Sequence, residues 1–397
     1  MASSDLKSLR ARVERINLRL LELLNQRARV VLAINALKRR QGIPPYVPER
    51  EQKMLAALSA RNRGPFSDET VRRLFREVFR ASLGLMEREQ DATYRISRAR
   101  RRGRFTFTVG GQTVGAGPIL IAGPCSVESP EQMELAARRL ARLGVRFLRG
   151  GAFKPRSSPY SFQGLGVRGL EILHDVGRRH GLVTVTEVVD TRAVETVVRY
   201  ADVVQVGARN MHNYELLREV GRARVPVLLK RGLAATISEF LGSAEYIAAE
   251  GNDRIILCER GIRTFETQTR NTLDIAAVPL LRQQSYLPVI VDVSHAAGRT
   301  DILAPLACAA LAAGANGVMV EVHPSPAVAR SDPEQQLDLD QFQRFLDEIG
   351  FPWRASPRRK MRRFSRGKRA ARGRLGELRS PKVPPLVSTR TTRSTGR

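Results

Sequence analysis

The stretch VRFLRGGAFKPRSSPYSFQGLGVRGLEILHDV, residues 145–176, decides how the chain is read. Its first four residues, 145–148, form a short apolar run that suits a buried strand. From 167 the apolar residues recur at helical spacing. Between them lies a long loop, 149–166, with Arg149, Lys154 and Arg156 set among glycines and the prolines Pro155 and Pro159. Glycine lets backbone approach a ligand closely, and proline stiffens a loop against collapse. Fixed cations beside backbone N–H groups and the hydroxyl of Ser157 suit a phosphate or a carboxylate. A long ordered loop of this composition is more often functional than a plain connector.

The same strand–loop–helix unit repeats outward from this stretch. Apolar, β-branched runs lie at 119–122, 145–148, 183–186, 203–206, 227–229, 255–257, 289–291 and 318–320. Helical patterns fill the gaps at about 131–143, 166–180, 191–200, 213–221, 236–250, 272–284, 301–313 and 338–349. Eight such units predict an α/β fold, a (β/α)₈ barrel, with an open doubly wound sheet as the alternative. A barrel builds its active site where strands end and loops begin. Polar residues follow each strand in turn: Cys125; Arg149 and Lys154; Glu187; Arg209; Lys230 and Arg231; Glu259 and Arg260; His295; Glu321 and His323. That convergence predicts an enzyme.

Residues 1–91 read differently. Leu6, Leu9, Val13, Ile16, Leu20, Leu23, Val30, Ile34 and Leu37 recur at steps of three and four, predicting one helix over 5–41. Arg27 interrupts that apolar seam. A charge there is costly unless paired, so Arg27 is expected to meet an anion or a buried carboxylate. Lys38 shares its face, whereas Arg10 points about 100° away, where it could serve a neighbouring subunit. Gly42, Pro44, Pro45 and Pro48 break the helix, a second helix is expected over 49–61, and Ser67 can cap a third over 68–90. Three helices with so narrow a seam predict a dimer or higher homo-oligomer.

The net charge of +28 is unevenly placed. Residues 1–91 carry +8, the linker 92–104 carries +6, residues 105–353 carry −1 and residues 354–397 carry +15. The largest segment is neutral, which argues against a dedicated nucleic-acid protein and leaves only weak contacts by the tail. Residues 354–397 are Arg-, Ser-, Pro- and Thr-rich and read as a disordered tail. Residues 105–109 and 112–114 alternate around Gly110-Gly111 and read as a hairpin opening the barrel domain, 105–353. Apolar runs are too short for a membrane helix, Asp5 and Lys7 disfavour a signal peptide, and three cysteines are too few for a disulfide framework. A reducing cytoplasm is the expected location.

Seven motifs sit at these loops: Gly-Pro-Cys-Ser at 123–126, Lys-Pro-Arg-Ser at 154–157, Gly-Ala-Arg-Asn at 207–210, Leu-Lys-Arg-Gly at 229–232, Cys-Glu-Arg-Gly at 258–261, Asp-Val-Ser-His at 292–295 and Glu-Val-His-Pro at 321–324. With them the chain resembles the 3-deoxy-D-arabino-heptulosonate 7-phosphate (DAHP) synthases over about 118–350. The resemblance implies a divalent metal (manganese, iron, cobalt or zinc) held by Cys125, His295, Glu321 and Asp332. It implies a phosphoenolpyruvate site at Arg149, Lys154, Arg209, Lys230 and Arg260, and an erythrose 4-phosphate site at Arg156 and Ser157. Lys154 is the implied acid near the aldehyde oxygen. A sister family, the 3-deoxy-octulosonate 8-phosphate synthases, typically carries Lys-Ala-Asn-Arg where this chain has Lys-Pro-Arg-Ser. A non-catalytic basic binding protein is the alternative from another class, and it would have lost part of the metal set.

Residues 5–90 resemble the helical chorismate mutase domain that precedes some of these synthases. Arg10, Arg27, Lys38 and Arg50 match its dicarboxylate clamp, with Glu51 beside them. Two positions depart: Val47 stands where that family usually has an acid, and Met86 where it has a Gln or Glu that donates to the substrate's ether oxygen. The resemblance therefore implies a sensor for chorismate or prephenate with weak mutase turnover, or, if another residue such as Gln90 substitutes, a bifunctional enzyme.

Overall fold

The computed structural model describes residues 2–41, 43, 47–101, 103–154 and 160–352. The tail 354–397 and the loop residues Arg156 and Ser157 lie outside them.

Three helices open the chain: α1 (Ala2–Arg40), α2 (Pro48–Arg61) and α3 (Asp68–Thr93). Pro48 occupies the first turn of α2, where its missing N–H costs no helical hydrogen bond. Ser67 Oγ accepts from the Thr70 N–H at 3.2 Å, capping α3 as its position predicts. Leu55, Phe79 and Met86 are buried among the helices. The long seam of α1 is not: Leu9 is 58 % exposed, Ile16 54 % and Leu37 56 %. Arg27 meets no carboxylate among the described residues. Its Nη1 donates to Ser82 Oγ at 2.6 Å, and its guanidinium lies over the Phe79 ring at 5.0 Å.

The connector then ties itself to the barrel. The backbone N–H groups of Arg95 and Ile96 donate to the two carboxylate oxygens of Glu245, at 2.9 and 3.3 Å. Strands β1 (Phe107–Val109) and β2 (Gln112–Val114) form the expected antiparallel hairpin. Gly110 and Gly111 take φ of 50° and 75° at its turn, and a Cβ on Gly110 would come within 2.7 Å of a Val183 methyl. The hairpin thus packs on the amino-terminal end of the barrel.

Eight parallel strands close that barrel: β3 (Ile119–Gly123), β4 (Phe147–Arg149), β5 (Val183–Val188), β6 (Val203–Val206), β7 (Val227–Lys230), β8 (Ile255–Glu259), β9 (Val289–Asp292) and β10 (Gly317–Glu321). The last strand pairs with the first in register from Gly317↔Ile119 to Glu321↔Gly123, which rules out an open doubly wound sheet. The strands are buried almost throughout, the pattern expected when helices cover a parallel sheet. Those helices are α4 (Pro130–Arg142), α5 (Val167–His180), α6 (Val194–Tyr200), α7 (Tyr214–Arg222), α8 (Ile237–Ala249), α9 (Ala277–Gln284), α10 (Val293–Ala297), α11 (Leu303–Ala312) and α12 (Leu339–Glu348). Thr236 and Asp338 open α8 and α12 with reciprocal capping boxes.

Two boundaries and one helix depart most from the sequence expectation. The strand expected from 145 starts at Phe147, because the Val145 N–H turns back to Leu140 O at 3.1 Å. The helix expected from 272 starts at Ala277, because Thr272 exchanges two backbone hydrogen bonds with Ile262 at 2.9 Å. The short helix α10 was not anticipated; Asp292 caps it by accepting from the His295 N–H at 3.0 Å.

Candidate active site

The carboxyl ends of the strands bring Cys125, His295, Glu321 and Asp332 together. One donor atom from each lies within 4.8 Å of all the others. Cys125 follows β3, Glu321 ends β10, His295 rides on α10, and Asp332 sits in the loop after β10. Asp332 has φ of 48°, a left-handed conformation that few non-glycine residues adopt and that strained functional loops favour. Cys125 Sγ lies 3.0 Å from Asp332 Oδ2, 3.0 Å from Lys154 Nζ and 3.1 Å from Ser331 Oγ. His295 Nε2 is 3.6 Å from Glu321 Oε1.

Charge in this cluster is dense and dry. Burial, then the Glu321 carboxylate, pushes the Cys125 thiol up to about 12. Burial alone would also raise Glu321, but His295 and Arg149 overcome it and hold the carboxyl at about 2. Asp332 is likewise held well below the usual carboxylate range: burial opposes this, while the Cys125 hydrogen bond and Arg270 outweigh it. Burial pushes the His295 imidazole down against the pull of Asp292. Two ionised carboxylates, an imidazole and a suppressed thiolate around one point fit a divalent transition metal, which would draw the proton off the sulfur.

Partners behind the cluster fix its orientation. Arg149 forms a buried ion pair with Glu321 and donates to Pro124 O at 2.9 Å. Asp292 is fully buried and its Oδ2 is shared, 2.5 Å from Lys230 Nζ and 2.8 Å from His295 Nδ1. Gln335 Nε2 donates to Glu321 Oε2 at 2.6 Å, and Gln336 Oε1 accepts from the Cys125 N–H at 2.9 Å. Arg149 and Lys230, expected to face substrate, thus stand paired behind the cluster.

In front of it opens a cavity of about 390 Å³. Lys154, Arg209 and Arg260 line it as the sequence suggests, and so do Glu187, His295 and Asp332. Arg263 and Arg270 line it too, and sequence reasoning missed both. Glu187 reaches the wall because Gly207 leaves room: a Cβ there would sit 2.1 Å from its carboxylate. Arg231 does not reach the cavity; it is buried in ion pairs with Glu259 at 2.9 Å and Asp274 at 2.7 Å. His323 is buried beside Glu128, with 3.6 Å between Nε2 and Oε2.

A second cavity, of about 260 Å³, lies among the three helices. Arg27, Lys38, Arg50 and Glu51 all line it, together with Val47 and Met86. Arg10 is exposed on α1 and does not reach it.

Residues 106–350 match the DAHP synthetase I family, which is more than half of the chain. A phospho-2-dehydro-3-deoxyheptonate aldolase from Thermotoga maritima is 55 % identical over 230 residues, covering 58 % of this chain and 68 % of that protein. This chain belongs to the DAHP synthetase I family. It is therefore an enzyme of that family, with a second, helical part: residues 9–87 match chorismate mutase type II. A crystal structure of the Thermotoga maritima DAHP synthase superposes with a TM-score of 0.63 at 50 % identity, covering 65 % of this chain and 76 % of that one. A 2-dehydro-3-deoxyphosphooctonate aldolase from Acidithiobacillus ferrooxidans is more distant, 32 % identical over 246 residues, covering 57 % of this chain and 86 % of that protein. No helix among the described residues of this family member is long and apolar enough to cross a membrane.

Proposed function

We propose that the barrel condenses phosphoenolpyruvate with erythrose 4-phosphate to DAHP and phosphate. The carrying observation is the four-ligand cluster opening onto a cavity lined by Lys154, Arg209 and Arg260. These cations would bind the phosphate and carboxylate of phosphoenolpyruvate and exclude bulk water. Arg263 and Arg270 would add positive charge at the mouth, and Arg156 and Ser157 would hold the aldehyde's phosphate. Carbon 3 of phosphoenolpyruvate attacks the aldehyde carbon, water adds at carbon 2, and phosphate leaves. Cys125, His295, Glu321 and Asp332 would hold a divalent metal, which supplies Lewis-acid polarisation of the aldehyde oxygen. Lys154, with Nζ beside Cys125, would protonate that oxygen as the carbon–carbon bond forms. Asp292 would keep His295 Nδ1 engaged and its Nε2 turned toward the cluster.

The stronger likeness to the heptonate enzyme, against 32 % for the octonate one, favours erythrose 4-phosphate over arabinose 5-phosphate. A direct test offers both sugar phosphates in competition, with and without chelator. Preferred consumption of arabinose 5-phosphate, or full turnover in chelator with no bound metal by elemental analysis, overturns the reading.

For the helical part we infer a sensor of chorismate or prephenate. Arg27, Lys38 and Arg50 share one cavity with an apolar wall at Met86, a setting for a dicarboxylate without a donor at its ether oxygen. The exposed seam of α1 supports a homodimer or larger oligomer in which Arg10 reaches a neighbour's cavity. A cytoplasmic location is supported by the free cysteines, which suit a reducing compartment. Chorismate should inhibit condensation in the full chain and not in a chain lacking residues 1–91. Equal inhibition of both would exclude the sensor.

A further inference from the structure

The end of the barrel opposite the catalytic cleft carries a third cavity, also basic, of about 260 Å³. It is walled by the basic connector, the start of the hairpin, and the loops that precede β9 and β10. Arg98, Arg104 and Arg282 line it, and no carboxylate does. Among the described residues none of the three arginines forms an ion pair. The nearby acids are committed elsewhere: Glu245 accepts from the connector backbone, and Asp253 lies 3.5 Å from Arg101.

All three arginines are exposed, but backbone carbonyls hold two of them in place. Arg104 Nη1 donates to Ala116 O, and Arg282 Nη1 donates to Gly314 O at 2.6 Å. Each keeps further N–H groups for another acceptor. Neutral donors complete the wall. Ser285 is buried, its Oγ already accepting from the Leu287 N–H at 3.1 Å, so its own proton is available. Asn316 Oδ1 accepts from the Val289 N–H at 3.0 Å, which leaves its amide N–H₂ to donate. Two held guanidinium groups and that of Arg98 around one concavity, with neutral donors and no acid, suit an anion.

We propose that this cavity is a binding site for a small dianion, a phosphate ester or a dicarboxylate, separate from the catalytic cleft. The occupant would touch both sides of a seam. The connector joins this wall through the Arg98 N–H, which donates to Gln284 O at 2.8 Å, and through the Ser97↔Ser285 bridge. Binding would therefore clamp the segment that links the helical part to the barrel, and that link is where an effector could influence both.

The test is hydrogen exchange on the full chain, saturated with phosphoenolpyruvate and titrated with inorganic phosphate or with malonate. Backbone amides in 97–105 and 282–288 should gain protection that saturates. Arg98→Gln should shift the midpoint about tenfold, the worth of one charge-assisted contact. Its side chain makes no hydrogen bond or ion pair among the described residues, so the variant should fold and melt as the parent does. Arg104→Gln combined with Arg282→Gln should remove the response. Tighter binding of phosphate would assign a phosphate ester, and tighter binding of malonate a dicarboxylate. No saturable protection with either anion, or an unchanged midpoint in Arg98→Gln, overturns the proposal.

Discussion

The two cavities lined by the anticipated residues are built in opposite ways. In the barrel, among the described residues, the cations behind the ligand cluster are buried and answered: Arg149 by Glu321, Lys230 by Asp292, Arg231 by Glu259 and Asp274. In the helical part Arg27 is answered by a hydroxyl and a ring, Arg50 is exposed, and the seam of α1 stays in water. Among the described residues, one chain answers the charges of the first site and leaves those of the second unanswered. The barrel's answered charges suit chemistry that tolerates little displacement, and the open helical cavity fits the proposed sensor, whose site a ligand or a partner surface would complete.

The sharpest way to break this contrast is at the barrel. Cys125→Ala should abolish both metal binding, read by elemental analysis, and turnover, while circular dichroism stays native. Retained turnover without bound metal would mean that the cluster is only structural. In the helical cavity Met86→Gln should raise conversion of chorismate to prephenate about a hundredfold, since it restores one donor to the developing charge. Robust mutase turnover in the unaltered chain would remove the distinction, and Gln90 would be the next residue to replace. Asp292→Asn should lower metal affinity about 10- to 100-fold in a competition titration, because His295 loses the carboxylate behind it. An unchanged affinity would make Asp292 a partner of Lys230 alone. The smallest effect is expected from deleting 354–397, which should leave both Michaelis constants nearly unchanged; a large loss would mean that the tail reaches the cleft.

The barrel was legible because its strands are buried on both faces and so spell out continuous β-branched runs. Cys125, His295 and Glu321 were legible because each follows a strand within a motif, whereas Asp332, well beyond the end of β10, came only from the resemblance to the family. The pairings were not legible. Arg149 and Glu321 are 172 residues apart, and nothing local tells a cation that faces substrate from one that faces a ligand. Arg263 and Arg270 were missed because they lie in the long loop after β8, outside the motif at 258–261. Asp292 was in view inside Asp-Val-Ser-His, and its place three residues before His295 is the signal of a helix cap that could have found it. Arg27 stands out as an exception on its seam, but its partners are a hydroxyl and a ring where an anion was expected, and the seam's exposure depends on what covers it, which is not written in one chain's periodicity.

The closure of the barrel by its first and last strands has a consequence in time. Cys125 leaves the ribosome 207 residues ahead of Asp332. At roughly 5–20 residues per second, about 10–40 s pass before the remaining partners exist. Throughout that interval the sulfur has no barrel around it and behaves as an ordinary accessible thiol, open to oxidants that the finished interior excludes. A nascent chain stalled after β9 should react with a thiol reagent at Cys125, and one stalled beyond α12, with the barrel emerged, should not. Cellular oxidant stress would then act on this enzyme mainly during its synthesis, as a tax on new molecules rather than on those already folded.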